Sequence, residues 1–174
     1  MTVRPATSDD VASILPLVRE LCDLHASRDP ERFAVRADIL DRYASWLPVR
    51  ASDPRSVLLV AVDERNGKIV GFTVGTIEPE VPIFWIPECG WIHDLYVLPD
   101  YRSRGHASSL VQEAVQRFRA MGVAQIRLHT GAFNDDARRF FARHGFRVSV
   151  VEMLLGMQGP GHDGAGSTDC SNQS

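Results

Sequence analysis

Residues 91–108 read Trp91-Ile92-His93-Asp94-Leu95-Tyr96-Val97-Leu98-Pro99-Asp100-Tyr101-Arg102-Ser103-Arg104-Gly105-His106-Ala107-Ser108. The apolar run from Trp91 to Leu98 predicts a buried strand, and Pro99, which offers no N–H to a sheet, ends it. From Gly105 onward Leu110, Val111, Ala114, Val115, Phe118 and Met121 recur on one face of a helix that Gly122 stops. A strand that turns through glycine into a helix start is a natural anion site. Glycine lets the backbone come close, and the free N–H groups of the first helical turn point outward with the positive end of the dipole behind them. Arg102 and Arg104 add bidentate donors. Several peptide donors converging on one anion form a nest, which suggests a ligand carrying a diphosphate.

Downstream, Gln125–Thr130 reads as another strand. Asn134 or Asp135 can cap a last helix through Phe140, Phe141 and His144 to Gly145, and Phe146–Leu155 is expected to supply a closing strand. Upstream, a helix should begin near Ser8, with Val11, Ile14, Leu15, Val18, Leu21 and Cys22 at helical spacing and Pro16 kinking or shortening it. A second helix is expected from about Arg36 to Leu47, ended by Pro48. Ser56–Val62 and Ile69–Thr76, joined through Arg65-Asn66-Gly67-Lys68, form a hairpin. The Pro-containing segment from Glu78 to Gly90, with Ile83, Phe84, Trp85 and Ile86, reads as a long loop of the kind that is often functional. Mixed strands and helices in this order predict an α+β layer with helices on both faces of a central sheet.

The 174 residues suffice for one core, expected over residues 1–155, and the Gly/Ser/Asp-rich stretch 156–174 is expected to be disordered. Net charge is −3, which argues against a broad nucleic-acid face. There is no apolar run that could span a membrane and no secretory signal, so a cytoplasmic protein is expected. Eighteen arginines stand against one lysine, Lys68, so lysine is scarcely available as a base. Cys22, Cys89 and Cys170 have no paired spacing, and no cluster implies a metal.

Three blocks together resemble the GCN5-related N-acetyltransferase (GNAT) family. They are Arg102, Gly105 and Ala107; the strand Asp94–Pro99 in front of them; and Asn134 with Ala137, followed by the aromatic pair Phe140-Phe141 and Gly145-Phe146. The resemblance implies a central mixed, mostly antiparallel sheet splayed between its fourth and fifth strands. It also implies transfer of the acetyl group of acetyl-CoA, as co-substrate, to a primary amine of a small molecule or peptide. By the same resemblance the backbone N–H of Leu95 faces the thioester as an oxyanion donor, and Val97 joins it along the pantetheine arm. Residues Arg102, Ser103, Arg104, Gly105, His106, Ala107 and Ser108 cradle the pyrophosphate, and Asn134 bonds the pantetheine. A homodimer is a family-level expectation.

The amine must lose a proton, and His93 is the candidate base. Alternation along the strand would put it on the same face as Leu95 and Val97; the other reading is a histidine buried in the sheet and bonded to the backbone. Asp94 is expected to orient the opposite face or cap a neighbouring loop, and Tyr96 is expected in the core. His106 stands where the family has an apolar residue and is expected to be solvated. The family's general-acid tyrosine is replaced by Phe141, which cannot protonate the departing thiolate. An acyl-CoA binding or sensing module with little activity is therefore the alternative.

Overall fold

The computed structural model describes residues 2–157. Among them five strands form one sheet in chain order: β1 (Thr2–Pro5), β2 (Ser56–Asp63), β3 (Lys68–Pro79), β4 (Glu88–Val97) and β5 (Ile126–Leu128). Pairing is antiparallel from β1 to β4, and β4–β5 is parallel. The helices are α1 (Val11–Arg28), α2 (Ile39–Ser52), α3 (His106–Ala120) and α4 (Asp135–Arg143).

Alternation along the strands divides the core in two. Leu58, Val60, Phe72, Val74 and Tyr96 pack on one face with Ile14, Val18, Leu21 and Leu47 of α1 and α2. Val57, Leu59, Ala61, Val70 and Val97 pack on the other with Leu110, Ala114 and Phe118 of α3. Phe72 and Phe118 are fully buried, and burying such a ring contributes roughly 2–3 kcal/mol. Gly90 makes room for one of them, since a Cβ there would lie 2.8 Å from the Phe118 ring. The predicted α+β sheet with helices on both faces is the one observed.

Several local expectations are corrected. Helical structure begins at Ser8 as expected, but the cap is Thr7 rather than Ser8: a 3-10 turn over Ser8–Asp10 leads into α1, and the Asp10 carboxylate accepts from Thr7 N–H at 2.8 Å. Asp10 also takes both Arg4 nitrogens, which, chiefly through that hydrogen bonding, holds its carboxyl down at about 2. Pro16 lies within the uninterrupted α1, whose Ile14, Leu17 and Val18 are buried. Pro48 likewise does not end α2. Leu47 is fully buried and Arg50 lies over the Trp46 ring, so packing on both sides outweighs the one lost backbone bond.

The loop before β4 is shorter than expected, because β3 runs to Pro79 and β4 starts at Glu88. Phe146–Leu155 does not form a strand. Phe146 packs beside β5, and the chain then leaves the sheet, with Glu152 paired to Arg32 at 2.7 Å. The β propensity of Val148, Val150 and Val151 measures fit to a pleated surface and needs a paired neighbour to be realised. The expected tail lies almost wholly outside the described residues. No described helix is long and apolar enough to cross a membrane.

Candidate active site

The parallel ladder pairs Gly90, Trp91 and Ile92 with Ile126, Arg127 and Leu128 and then stops, while β4 continues to Val97. The strands part there, and a cleft of about 1120 Å³ opens between β4, the turn into α3, the end of β5 and the start of α4. Leu98 N–H bonds to Val70 O of β3 at 2.9 Å. By alternation the polar groups of Leu95 and Val97 point the other way, toward the cleft. Arg102 confirms the direction, because its Nε donates to the Val97 carbonyl at 3.0 Å.

At one end of the cleft the chain turns through Ser103 (φ 59°) and Gly105 (φ 86°). The first bond of α3 runs from Ser109 N–H to Gly105 O at 3.0 Å. The N–H groups of His106, Ala107 and Ser108 therefore have no acceptor within the helix. Nothing lies within 4 Å of where a Gly105 Cβ would stand, so the turn leaves an open concavity above these donors. This fits a diphosphate. Arg102, Ser103, Gly105, His106, Ala107 and Ser108 line the cleft, as do Asn134 and Phe141. Arg104 does not; its guanidinium lies over the Tyr101 ring, 5.4 Å from the centroid. Asn134 Oδ1 accepts from Ala137 N–H at 3.0 Å and caps α4. Phe141 is buried, 5.6 Å from the Phe146 ring.

His106 departs from the solvated reading. It is 6% exposed, its Nδ1 is buried without a hydrogen-bond partner, and burial lowers its pKa. As the first residue of α3 it turns its ring inward, 6.0 Å from Tyr101.

His93 lies on the opposite face from the one alternation assigned. Val74 pairs with Asp94 and Gly75 with Ile92, so His93 is the extra residue of a β-bulge. The bulge shifts the parity. Ile92, Leu95 and Val97 join the α3-side cluster, whereas His93 lies 5.7 Å from the Trp46 ring of α2 and Asp94 accepts from Tyr43 O–H of α2 at 2.8 Å. Both residues still line the cleft. His93 is bonded to a side chain rather than the backbone: Nε2 is 2.6 Å from Thr76 Oγ1, and that hydroxyl donates to Glu78. With its one proton so engaged, Thr76 must accept from His93 Nε2–H, leaving Nδ1 as the free lone pair. Burial lowers the His93 pKa, Glu78 raises it and Arg50 lowers it, for a net decrease.

Asp94 gains weight from the structure. Burial pushes its carboxyl up to about 6, opposed by the Tyr43 hydrogen bond, and burial foremost raises the Tyr43 phenol. A raised carboxyl stabilises the fold below the unfolded value of 3.8 and loses that contribution as pH rises through about 6. The penalty above that range is on the order of 2–3 kcal/mol. Asp94→Asn keeps an acceptor for Tyr43 and removes the charge. Its melting temperature at pH 8 should exceed that of the parent by roughly 4–8 °C, with the two converging near pH 4; calorimetric scans at both values check this.

Sequence reasoning missed Tyr43 as a partner of Asp94, and the aromatic group that closes one side of the cleft. His25 of α1 lies 4.9 Å from Phe33 and 6.0 Å from Phe133, between β5 and α4. A tyrosine on an apolar stripe was the available signal for the first, since a buried phenol needs a partner. Nothing local marked the second.

Known proteins share the family pattern and the fold. The family model "Acetyltransferase (GNAT) family" matches residues 18–146. An uncharacterized N-acetyltransferase of Methanocaldococcus jannaschii is 30% identical over 157 residues, 86% of this chain, and the match spans 62% of that relative's length. The aminoalkylphosphonate N-acetyltransferase of Salmonella typhimurium is 27% identical over 84% of this chain and 85% of its own length. A crystal structure of a mutant protein from Bacillus halodurans superposes with a TM-score of 0.80 at 26% identity, covering 90% of this chain and 99% of that one. The overall fold is thus shared with a solved structure, the family model covers most of the sequence, and the chain belongs to the GNAT family of acetyltransferases.

Proposed function

We propose that residues 1–155 act as one N-acetyltransferase domain that moves the acetyl group of acetyl-CoA directly to a primary amine of a small molecule or peptide, in the cytoplasm. The parting of β4 from β5 after Ile92 carries this reading. It leaves two N–H donors, on Leu95 and Val97, along a cleft that ends at the free N–H groups of α3. When bound, acetyl-CoA supplies the activated acyl group. The helix start from Arg102 to Ser108 holds its diphosphate, with Arg104 contributing charge from outside the cleft wall. Leu95 N–H stands where negative charge develops on the thioester oxygen, and a donor fixed on a strand needs no reorganisation to meet it. Asn134 orients the pantetheine with the donor face of its amide.

His93 takes the proton of the attacking amine through Nδ1, and Thr76 and Glu78 hold the ring. Neutral near pH 7 because burial disfavours its charge, it is ready to accept. The acceptor amine approaches from the α1/α2 side, where Asp94 attracts its cationic form. The likeness to an aminoalkylphosphonate N-acetyltransferase supports a small amine as acceptor.

Titration with acetyl-CoA by calorimetry, followed by thiol release against a panel of amines, tests the reading. Micromolar binding with turnover supports it, binding without turnover on any amine favours a sensing module, and no binding refutes it. Phe141→Tyr restores a hydroxyl at the cleft wall. It should raise kcat severalfold at unchanged KM for acetyl-CoA, and an unchanged kcat would mean that thiolate protonation is not limiting.

A further inference from the structure

Arg102 is the arginine of the turn into α3 that lines the cleft, and contacts on three sides fix it. Its backbone N–H closes the 3-10 turn onto Pro99 O at 3.1 Å, and its Nε donates to the Val97 carbonyl at 3.0 Å. Its guanidinium carbon lies 5.5 Å from the centre of the Tyr96 ring. That ring is held in turn. It is 6% exposed and packs with residues of α1 and β3, and its hydroxyl donates to Glu20 Oε2 of α1 at 2.8 Å, 76 residues away in the chain. Burial foremost, and then Glu20, push the phenol up to about 12, while Arg102 acts the other way. The hydroxyl therefore keeps its proton for Glu20. Arg104, two residues on, has a different seat: it lies over Tyr101 and does not line the cleft. A line of contacts thus runs from α1 through Tyr96 to the one arginine of this turn that reaches the cleft.

We infer that Tyr96 and Glu20 are positioning residues for the diphosphate: they hold the Arg102 guanidinium in the cleft, so that α1 contributes to cofactor affinity without touching the cofactor. The inference rests on the reading of the cleft as an acetyl-CoA site. A free arginine side chain is long and rotamer-rich, and ordering it opposes binding. Here that ordering is already done. The Nε–H is engaged by Val97, which leaves the remaining N–H groups of the fork for phosphate oxygens. The face of the Tyr96 ring attracts the cation, and Glu20 anchors that ring through its hydroxyl, so the donors that phosphate needs stay available. A ring that served packing alone would need no hydroxyl, and the bond to Glu20 gives this one a partner on another element.

Calorimetric titration of acetyl-CoA into the parent and its variants tests this. Tyr96→Phe keeps the ring and loses the anchor, and should raise Kd by about threefold to tenfold. Glu20→Ala should match it, whereas Glu20→Gln, which still accepts from the hydroxyl, should restore most of the affinity. Arg102→Ala should raise Kd by about tenfold or more. In that background Tyr96→Phe should add nothing, because a positioning residue has no effect without the group it positions. A loss in Tyr96→Phe that persists undiminished in Arg102→Ala overturns the inference, and so does an unchanged Kd in folded Tyr96→Phe and Glu20→Ala. Glu20 is exposed, so if Tyr96→Phe does not fold, Glu20→Ala and its combination with Arg102→Ala decide. A parent that binds no acetyl-CoA refutes the cofactor reading and this inference with it. Binding that ignores both Tyr96 and Glu20 overturns the inference alone.

Discussion

Gly105→Glu is expected to weaken acetyl-CoA binding at least about a hundredfold while leaving a folded domain. Two effects act together. Gly105 sits at φ 86°, where a side chain costs about 1–2 kcal/mol, so the turn either strains or relaxes away from its concave shape. The carboxylate would also project into the open space beside the free N–H groups of α3, taking the place of the phosphate and repelling it. Nothing lies within 4 Å of the new Cβ, so no clash threatens the core and the melting temperature should fall by only a few degrees. Gly105→Ala separates the two effects, because it carries the backbone strain without the charge. It should lower affinity about tenfold or less. Calorimetric titration of both variants reads the result directly, and undiminished affinity in Gly105→Glu would put the diphosphate elsewhere.

The second large effect is expected at His93. His93→Ala should lower kcat by roughly a hundredfold and flatten the acid limb of the pH–rate profile. In the parent that limb should lie below 6.5, the ordinary histidine value, because burial lowers the pKa. Thr76→Val, which removes the hydroxyl between His93 and Glu78, should move the limb without abolishing turnover. Asp94 shares the face and also titrates, at about 6, so Asp94→Asn is the necessary comparison. It should keep the limb and raise KM for the amine. If Asp94→Asn loses the limb and His93→Ala keeps it, the base is Asp94. Full-range profiles of the three variants distinguish these outcomes.

The local structure of the candidate site was legible in sequence where it is built from consecutive residues. The strand up to Pro99, the glycine turn and the amphipathic run after it depend on interactions within a few residues, so their pattern survives in the chain whatever packs around them. The same holds for Asn134, whose side chain caps a helix three residues away, and for the Asn66-Gly67 turn between β2 and β3. His93 was found as a residue and misplaced in space, because strict alternation cannot foresee an inserted residue whose position is set by pairing with Val74 and Gly75 on another strand.

The sequence by itself determined the order of strands and helices from α1 to α4, though neither β1 nor the absence of a strand after α4. It also determined the buried strand that leads through a glycine turn into a helix start, and the membership these imply. Periodicity, glycine conformation and helix-end donors are properties of short windows. Tertiary structure alone decided the bulge that turns His93 and Asp94 toward α2, and the partnership of Asp94 with Tyr43, 51 residues away. It decided too the inward turn of His106, the passage of Pro16 and Pro48 through intact helices, and the failure of Phe146–Leu155 to pair within its own sheet. Each of these depends on desolvation and on partners distant in sequence, whose energies outweigh local preference and leave no mark in any single stretch of the chain.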